Sequence, residues 1–395
     1  MTGLGWQLFD ADNHYYEAED AFIRHMEPSH KRLFQWAEVE GRRRLLVNGR
    51  VNSFIPNPTF DPVGKPGALM EYFLGAEGAG ETFQTRLRDT EPLADRPEYR
   101  DRDARLEVMD ALGVEGTWLL PTLAVGMQNA LRDEPDAAMA AFRAFNRWLD
   151  DDWGYDYQGR IFGLPYLALL DVGQATAELE RVLEAGAKVV CMVPGPVRVR
   201  NDSWSPFTTD YDPFWARVDE AGITVALHGG SNSYDDHQRE WDARGKSQAF
   251  FGTAMGSYIA GSHRDIADTV AAMVWGGLFE RFSRLRIAVI ENGSDWLGTT
   301  MKKLDMGFHQ RPGELSMLPS ETIRRHVWIA PFWEDDPMDC VEVIGVGHTL
   351  LGSDWPHLEG IPEPAAFADR LRALGEADVK RVMRDNALEL TRPLG

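Results

Sequence analysis

Eight short apolar runs, separated by amphipathic segments, constrain the fold of this chain more than any other feature of its sequence. Runs rich in Val, Ile and Leu that alternate with helical patterns are typical of parallel strands buried on both faces and joined by helices. Eight strands with helical crossovers predict an α/β fold, a closed (β/α)8 barrel of the TIM-barrel class. The predicted strands are Gln7–Asp12, Gly116–Leu120, Ile161–Ala168, Lys188–Val193, Thr224–His228, Ile287–Glu291, Val327–Ala330 and Thr349–Ser353.

Helical patterns fill the intervals between these runs, and several of them stop at a glycine. Gly113, Gly186 and Gly222 each follow such a segment, and glycine adopts the left-handed conformation of a helix C-terminus at little cost. The alternation predicts that residues 1–395 form a single barrel domain. The predicted helices are Ala104–Leu112, Pro135–Trp153, Gly173–Ala185, Asp212–Ala221, Arg264–Phe282 and Glu363–Leu374.

Two stretches interrupt the alternation of strands and helices. Residues 38–100 contain an Asn-Gly hairpin signal at Asn48 and Gly49, followed by four prolines between positions 56 and 66. We interpret this stretch as an insertion near the N-terminus that forms a cap over the barrel mouth. A second irregular stretch, Gly229–Ser262, follows the fifth predicted strand and is a candidate lid.

Charge and cysteine content limit the partners and the compartment. Lys and Arg total 41 and Asp and Glu total 62, a formal net charge of −21 without basic clusters, so nucleic acid and membrane surfaces are poor partners. The longest apolar stretch, around Ile161 to Leu170, is too short to span a bilayer, and no signal pattern opens the sequence. Because Cys191 and Cys340 are too few for a disulfide framework, we expect buried thiols and a cytoplasmic protein.

The first predicted strand ends in FDADNHYYE, which carries two kinds of metal donor. Side chains alternate along a strand, so Asp10, Asp12 and His14 are expected to project to one side. A carboxylate and an imidazole two residues apart at a barrel mouth suit one divalent metal. The alternative is an acidic strand end with a capping histidine.

The fifth and eighth predicted strands end in further polar groups. The segment GITVALHGG places His228 at the end of an apolar run, and TLLGSDWPH places Asp354 in the equivalent position, with His357 three residues on. Taken singly, His228 is as well explained as a structural histidine and Asp354 as the cap of a turn. Catalytic groups collect at the carboxyl ends of barrel strands, which favours a functional role for the set. His357 is a candidate for proton transfer.

These segments resemble the amidohydrolase-2 family, which includes aminocarboxymuconate-semialdehyde decarboxylase and aromatic acid decarboxylases. The segments SDWPH and RLRIAVIENGSDWL are also similar to that family, and the resemblance covers nearly the whole chain. It implies that Asp12, His14, His228 and Asp354 bind one metal ion.

The sixth predicted strand departs from the family pattern. Decarboxylase relatives commonly have a histidine followed by glycine there, whereas this chain has Glu291 in the place of that histidine. Glu291 is expected to ligate the metal or to act as an acid or base; the alternative is a bond to a backbone amide or an arginine. Three carboxylates and two histidines form a hard donor set, for which we expect Zn2+, with Mn2+ as the alternative.

Further residues, two arginines and three tryptophans, are candidates for substrate binding. Arg198 and Arg200 in VPGPVRVR are placed to hold a substrate carboxylate, although solvated arginines are the plainer explanation. Trp204 and Trp296, together with Trp333, lie in loops after strands and are candidates for an aromatic wall; the alternative is that they pack the barrel rim.

The expected function is that of a metal-dependent amidohydrolase-type enzyme. It is either a hydrolase or a non-oxidative decarboxylase of a small carboxylated or cyclic or aromatic substrate, and Asp354 separates the two. Decarboxylation requires a protonated Asp354 that delivers a proton to carbon, whereas hydrolysis requires an ionised Asp354. The alternative is a metal-free, catalytically diverged barrel that binds a ligand or serves in an assembly. A homodimer or higher homo-oligomer is the expected state.

Overall fold

The computed structural model of the chain describes residues 4–70, 89–241, 254–332 and 335–395. The strands are β1 Leu8–Tyr15, β2 Phe34–Val39, β3 Arg42–Val47, β4 Arg50–Val51, β5 Val63–Gly64, β6 Thr90–Glu91, β7 Val114–Pro121, β8 Ile161–Gly163, β9 Val189–Met192, β10 Val197–Val199, β11 Asp202–Trp204, β12 Thr224–His228, β13 Arg286–Ile290 and β14 Val327–Ile329. The helices are α1 Pro28–Lys31, α2 Arg102–Leu112, α3 Met127–Ala130, α4 Pro135–Asp152, α5 Val172–Glu184, α6 Asp212–Ala221, α7 Tyr234–Trp241, α8 Ala254–Ala260, α9 Arg264–Trp275, α10 Leu278–Arg281, α11 Trp296–Gln310, α12 Pro319–His326, α13 Pro337–Ile344, α14 Glu376–Lys380 and α15 Asn386–Thr391.

Two parallel sheets form the barrel wall, one ordered β1-β7-β8 and the other β9-β12-β13-β14. Single backbone bridges connect them, because Tyr166 pairs with Cys191 beyond β8, and Ile329 pairs with Thr349 beyond β14. The extended segment that begins at Thr349 returns to β1, where it pairs with Asn13. The predicted (β/α)8 barrel is confirmed, with its apolar core inside the wall and between wall and helices.

The eighth strand is less regular than predicted. Instead of a continuous ladder, Thr349–Ser353 makes separate backbone bonds, such as Leu350 N–H to the Ile329 carbonyl. A side chain replaces one of the backbone hydrogen-bond partners of this strand. The N–H of Ser353 donates to a carboxylate oxygen of Asp10 at 3.0 Å. Side-chain bonds of this kind compete with regular strand pairing.

Helix ends follow the glycine signals. Gly113, Gly186 and Gly222 have φ values of 71°, 98° and 61°, so the predicted left-handed termini are confirmed. The predicted helix Arg264–Phe282 is wrong as one helix: it divides at Gly277, where φ is 66°, into α9 and α10.

The insertion of residues 38–100 begins as antiparallel structure. Strands β3 and β4 meet at Asn48 and Gly49, both with positive φ, which confirms the predicted hairpin. Farther on, Leu69 N–H donates to the Leu358 carbonyl at 2.7 Å, in the loop that follows the eighth strand. The insertion therefore lies against the loop after Asp354. Residues 71–88 are outside the described residues, and the capping role stays a prediction.

The sequence predicted that the stretch Gly229–Ser262 is irregular. The structure shows that part of it is helical. It contains α7 and α8, and residues 242–253 between them lie outside the described part of the chain. The periodicity of α7 is easily missed, because Tyr234–Trp241 is almost entirely polar.

Two expectations from composition can be compared with the described residues. Within the ranges given above, no helix is both long and apolar enough to cross a membrane. Cys191 and Cys340 are both buried and free, as expected.

Candidate metal centre and acid–base pair

The carboxyl ends of the barrel strands bring the predicted ligands together. Asp12 and His14 lie in β1, His228 ends β12, and Glu291 directly follows β13. These four residues offer donor atoms that all lie within 4.8 Å of one another. The barrel therefore assembles, from three strands, the cluster that the sequence predicted from separate segments.

The two histidines point the same nitrogen into the cluster. His14 Nε2 and His228 Nε2 are 3.2 Å apart, and the Oδ1 atom of Asp12 lies 3.3 Å from the first and 3.6 Å from the second. Glu291 Oε2 lies 2.8 Å from His228 Nε2. Two ring nitrogens and two carboxylate oxygens thus converge on a small volume that suits a positive charge.

The backbone fixes which nitrogen of His228 faces the cluster. Its Nδ1 lies 2.7 Å from the carbonyl oxygen of Gly229, which can only accept, so Nδ1 carries a hydrogen and Nε2 is the nitrogen that can bind a proton or a metal ion. Gly229 itself fits tightly, since a Cβ there would lie 2.5 Å from the Glu291 carbonyl oxygen. Glycine at position 229 therefore allows the backbone after His228 to pass close to Glu291.

The residues fit a single divalent cation. Asp12 Oδ1, Asp354 Oδ2 and His14 Nδ1 are buried polar atoms without a hydrogen-bond partner. Buried polar atoms rarely stay unsatisfied, and a cation beside Asp12 Oδ1 would satisfy the carboxylate. Imidazole and carboxylate donors together match the preference of Zn2+ and Mn2+.

The charges of the cluster respond strongly to burial. Burial lowers the pKa of His14 well below its ordinary value, which keeps the ring neutral and able to ligate. For His228, burial acts in the same direction, but the Glu291 and Asp12 carboxylates outweigh it and raise the pKa of that imidazole. The cluster therefore attracts positive charge, as a proton or as a metal ion.

Asp354 lies beside the cluster and is paired with His357. Its Oδ1 is 3.3 Å from His14 Nε2 and 2.6 Å from His357 Nδ1. Burial, followed by the nearby Glu291 carboxylate, raises the pKa of Asp354 well above its ordinary value. Asp354 and Glu291 both adopt left-handed φ values, 55° and 52°, a strained conformation for these residues.

Thr122, which sequence reasoning missed, orients His357. The Thr122 hydroxyl donates to the Tyr15 carbonyl at 2.8 Å, so its oxygen is left to accept from His357 Nε2 at 3.0 Å. With the hydrogen on Nε2, the Nδ1 lone pair of His357 faces Asp354. One proton is therefore shared between His357 Nδ1 and Asp354 Oδ1. Thr122 stands in a loop after β7 without a recognisable motif, and no sequence signal marks it.

Glu359 also lies at the site and was not predicted. It offers an oxygen within 4.8 Å of donor atoms on Glu291 and Asp354. The mouth of the barrel is therefore strongly acidic. Its position two residues after His357 is the only signal in the sequence, and a loop glutamate is usually solvated.

Asp10 does not join the cluster, contrary to the expected alternation. The pairing of β1 with β7 is irregular between Asp10 and Asn13, so Asp10 turns away from the side on which Asp12 and His14 meet. Its carboxylate bonds instead to Ser353 and to the backbone of Asp12.

The residues predicted to bind substrate are already engaged with protein groups. Arg198 donates to Asp236 in α7, and Arg200 Nε lies 3.4 Å from a backbone carbonyl, that of Asp133. A substrate-binding role for both arginines stays a prediction.

The predicted aromatic wall is divided between different environments. Trp204 is 38% exposed and donates to the Tyr211 hydroxyl. Trp296 is buried and donates to the carbonyls of Asn292 and Gly293, so it supports the loop that carries Glu291. Trp333 lies outside the described residues.

A closed (β/α)8 barrel with an imidazole and carboxylate cluster at the carboxyl ends of its strands defines a class of metal-dependent enzymes. The chain belongs to the family described as amidohydrolase, which matches residues 10–392. The resemblance inferred from the sequence motifs is thereby confirmed.

Solved and curated proteins agree with this assignment. An amidohydrolase structure from Mycobacterium avium subsp. paratuberculosis K-10 is 38% identical, with 98% of this chain and 100% of that chain covered and a TM-score of 0.92. The 2-amino-3-carboxymuconate-6-semialdehyde decarboxylase of Dictyostelium discoideum is 23% identical over 243 residues, which span 58% of this chain and 60% of that protein. A dihydroxybenzoic acid decarboxylase from Polaromonas sp. JS666, solved with bound manganese and an inhibitor, has the same fold at 20% identity, 83% and 96% coverage and a TM-score of 0.59.

Proposed function

We propose that this enzyme is a non-oxidative decarboxylase of a small aromatic or unsaturated carboxylic acid. The observation that carries the proposal is the buried contact of 2.6 Å between Asp354 Oδ1 and His357 Nδ1, oriented so that one proton is held between them. Decarboxylation replaces a C–CO2 bond with a C–H bond and consumes one proton per turnover. This reaction needs a proton donor beside the cluster, and the proton shared by Asp354 and His357 meets that need.

The proposed metal ligands are Asp12, His14, His228 and Glu291, with Asp354 at the edge of the set. When bound, a divalent ion supplies a Lewis acid that stabilises negative charge on substrate oxygens. Zn2+ suits the two imidazoles, and Mn2+ suits the carboxylates. The manganese in the Polaromonas decarboxylase supports Mn2+ as the alternative.

The proton steps belong to Asp354 and His357. Asp354 donates its proton to the carbon that loses CO2 and becomes a carboxylate. After Asp354 has become a carboxylate, Nδ1 of His357, whose side chain is 13% exposed, takes up a proton from solvent to give an imidazolium, and this Nδ1 proton passes to Asp354 and restores the starting state. Thr122 keeps the His357 ring in place during the exchange, because its hydroxyl oxygen accepts from Nε2.

A second candidate is hydrolysis of a neutral substrate such as a lactone. The observation that favours it is the acidic mouth, where Glu291, Asp354 and Glu359 would repel a substrate carboxylate while Arg198 is occupied by Asp236. In that reaction an ionised Asp354 takes a proton from the attacking water. A metal-free binding component is disfavoured, because the donor cluster is assembled and the chain belongs to an enzyme family.

The deciding experiment gives metal-loaded protein a panel of aromatic acids, unsaturated acids and lactones, and follows CO2 release and hydrolysis separately. In D2O, a decarboxylase should place deuterium on the carbon that carried the carboxylate. CO2 release with deuterium incorporation supports the proposal. Lactone hydrolysis without CO2 release from any acid overturns it in favour of the second candidate.

A further inference from the structure

We infer that Asp10 is a positioning residue that fixes the spacing between the two strand ends carrying Asp12 and Asp354. Its side chain is completely buried. Oδ1 accepts from the backbone N–H of Asp12 at 3.2 Å and of Ser353 at 3.0 Å. Oδ2 accepts from Asn13 Nδ2 at 2.9 Å and from the Ser353 hydroxyl.

These bonds tie β1 to the eighth strand at the level of the cluster. One carboxylate holds the backbone of Asp12 and the residue directly before Asp354. The N–H of Asp354 in turn donates to the Asp12 carbonyl at 2.8 Å. Loss of the Asp10 carboxylate therefore removes bonds that hold these two strand ends at a fixed distance from each other.

A buried guanidinium, that of Arg105, is linked to Asp10 through the side chain of Asn13. Arg105 donates to Asn13 Oδ1, to the His14 carbonyl at 2.8 Å and to the Glu98 carbonyl at 2.8 Å. Asn13 accepts from Arg105 and donates to Asp10, so its amide joins the two charges. The same arginine anchors the backbone of His14.

The inference deepens the proposed function, because it assumes that Asp12 and Asp354 act at one metal-binding site. It is tested with Asp10→Asn, which keeps the size of the side chain. Both oxygens of Asp10 face hydrogen-bond donors, so one side of an amide would face them with its own NH2 group. We expect metal affinity to fall roughly 10- to 100-fold, the usual effect of losing a partner that orients ligands.

Affinity is measured by calorimetric titration of metal-free protein with Zn2+ in the presence of a competing chelator. Co2+ titration adds a spectroscopic readout, because its visible absorption reports ligand geometry. We expect the Asp10→Asn spectrum to differ from that of the parent. Ser353→Ala removes a single donor to Oδ2 and should change both readouts in the same direction by less, which keeps the test valid if Asp10→Asn folds poorly.

The matched control is Glu178→Gln. Glu178 is also a buried carboxylate that accepts from an asparagine, Asn146 Nδ2 at 2.9 Å, and from Arg181 at 2.8 Å, but it lies in α5 away from the cluster. It should lower the melting temperature without changing metal affinity.

Two results overturn the inference while leaving the proposed function intact. One is an Asp10→Asn protein that binds Zn2+ as tightly as the parent with the same Co2+ spectrum. The other is an equal loss of affinity in Glu178→Gln, which would show a general effect of stability. A parent protein that binds neither ion would instead refute the proposed function.

Discussion

At the scale of single residues, the proposed chemistry depends on the protonation of Asp354 and His357. The carboxyl group is buried against His357, and Thr122 directs the Nδ1 lone pair of His357 toward it. Glu291 occupies the other side of the cluster, 2.8 Å from His228 Nε2. Substitutions of Asp354 and Glu291 are expected to have different effects, because in the proposed mechanism Asp354 transfers protons whereas Glu291 binds the metal ion.

Asp354→Asn should abolish turnover while leaving metal content largely unchanged. Asparagine is nearly isosteric and retains an oxygen, but it cannot donate or accept the catalytic proton. We expect a loss of roughly 100- to 10,000-fold in kcat, the range typical of removing a general acid or base. Steady-state kinetics and elemental analysis of the same preparation test this, and near-normal turnover would refute the role of Asp354.

Glu291→Gln should weaken metal binding, because it removes a negative charge from the cluster. Occupancy is expected to fall, and excess metal should restore part of the rate. Glu291→His provides the control, since a histidine at this position reproduces the pattern of the relatives and should retain the ion. A Gln variant that is fully loaded but inactive would make Glu291 the proton carrier in place of Asp354.

Thr122→Val should lower kcat about tenfold, equivalent to the roughly 1.4 kcal/mol of one hydrogen bond, with little change in metal affinity. Thr122→Ser keeps the hydroxyl and should retain most of the rate. Nitrogen-15 NMR of the His357 ring gives a second readout, because it identifies the nitrogen that carries hydrogen. A parent protein in which Nε2 of His357 carries no hydrogen would contradict the orientation described above.

At the scale of elements, Asp236 gives helix α7 a cluster of ion pairs in addition to bonds such as that from the Tyr234 hydroxyl to Asp268. Asp236 accepts from Arg132 at 2.8 Å in the loop after β7, from Arg198 in β10 and from Arg239 in its own helix. The candidate lid is therefore fastened to two neighbouring loops. Exposed ion pairs are individually weak, but Asp236 is only 27% exposed and joins several of them.

Asp236→Asn should loosen α7 without affecting the metal cluster. We expect faster amide hydrogen exchange in residues 234–241 and a several-fold change in KM, with unchanged metal content. Glu240→Gln makes the same change of charge in the same helix at a side chain that is 73% exposed, and should leave exchange and KM unaltered. Equal exchange in both variants would show that Asp236 does not hold the helix.

At the scale of the whole molecule, the cluster places several carboxylates inside a barrel that buries them. Burial is the main cause that raises the pKa of Asp354, and repulsion by the carboxylates of Glu291, Glu359 and Asp12 adds to it. A bound ion stabilises the folded chain by mass action, about 2.7 kcal/mol at a free concentration one hundred times Kd.

Removal of the metal should therefore lower the melting temperature by about 3–6 °C, and addition of Zn2+ or Mn2+ should restore it. Differential scanning calorimetry of chelated and reloaded protein measures the change. His228→Ala, which lacks one proposed ligand, should show little response to added metal. A parent protein whose melting temperature ignores chelator and metal would contradict the proposed site. The predicted homo-oligomer can be checked in the same samples by light scattering.

The sequence by itself was sufficient for the barrel and for most of the metal cluster, because both depend on local patterns. Apolar runs and glycine stops specify strands and helix ends within a few residues, and the matches at Thr224–His228 and Asp212–Ala221 are complete. Asp12, His14 and His228 could be grouped because all parallel strands of a barrel present their carboxyl ends to one face.

Only the tertiary structure decided the roles that depend on contacts between distant residues. Thr122 meets His357 across 235 positions, and Asp10 meets Ser353 across 343. An irregular pairing in β1 turns Asp10 away from the face that strict alternation assigns to it, and Arg198 donates to Asp236, a carboxylate of α7. Such contacts arise from how loops and strand ends pack together. Periodicity along the chain carries no information about them.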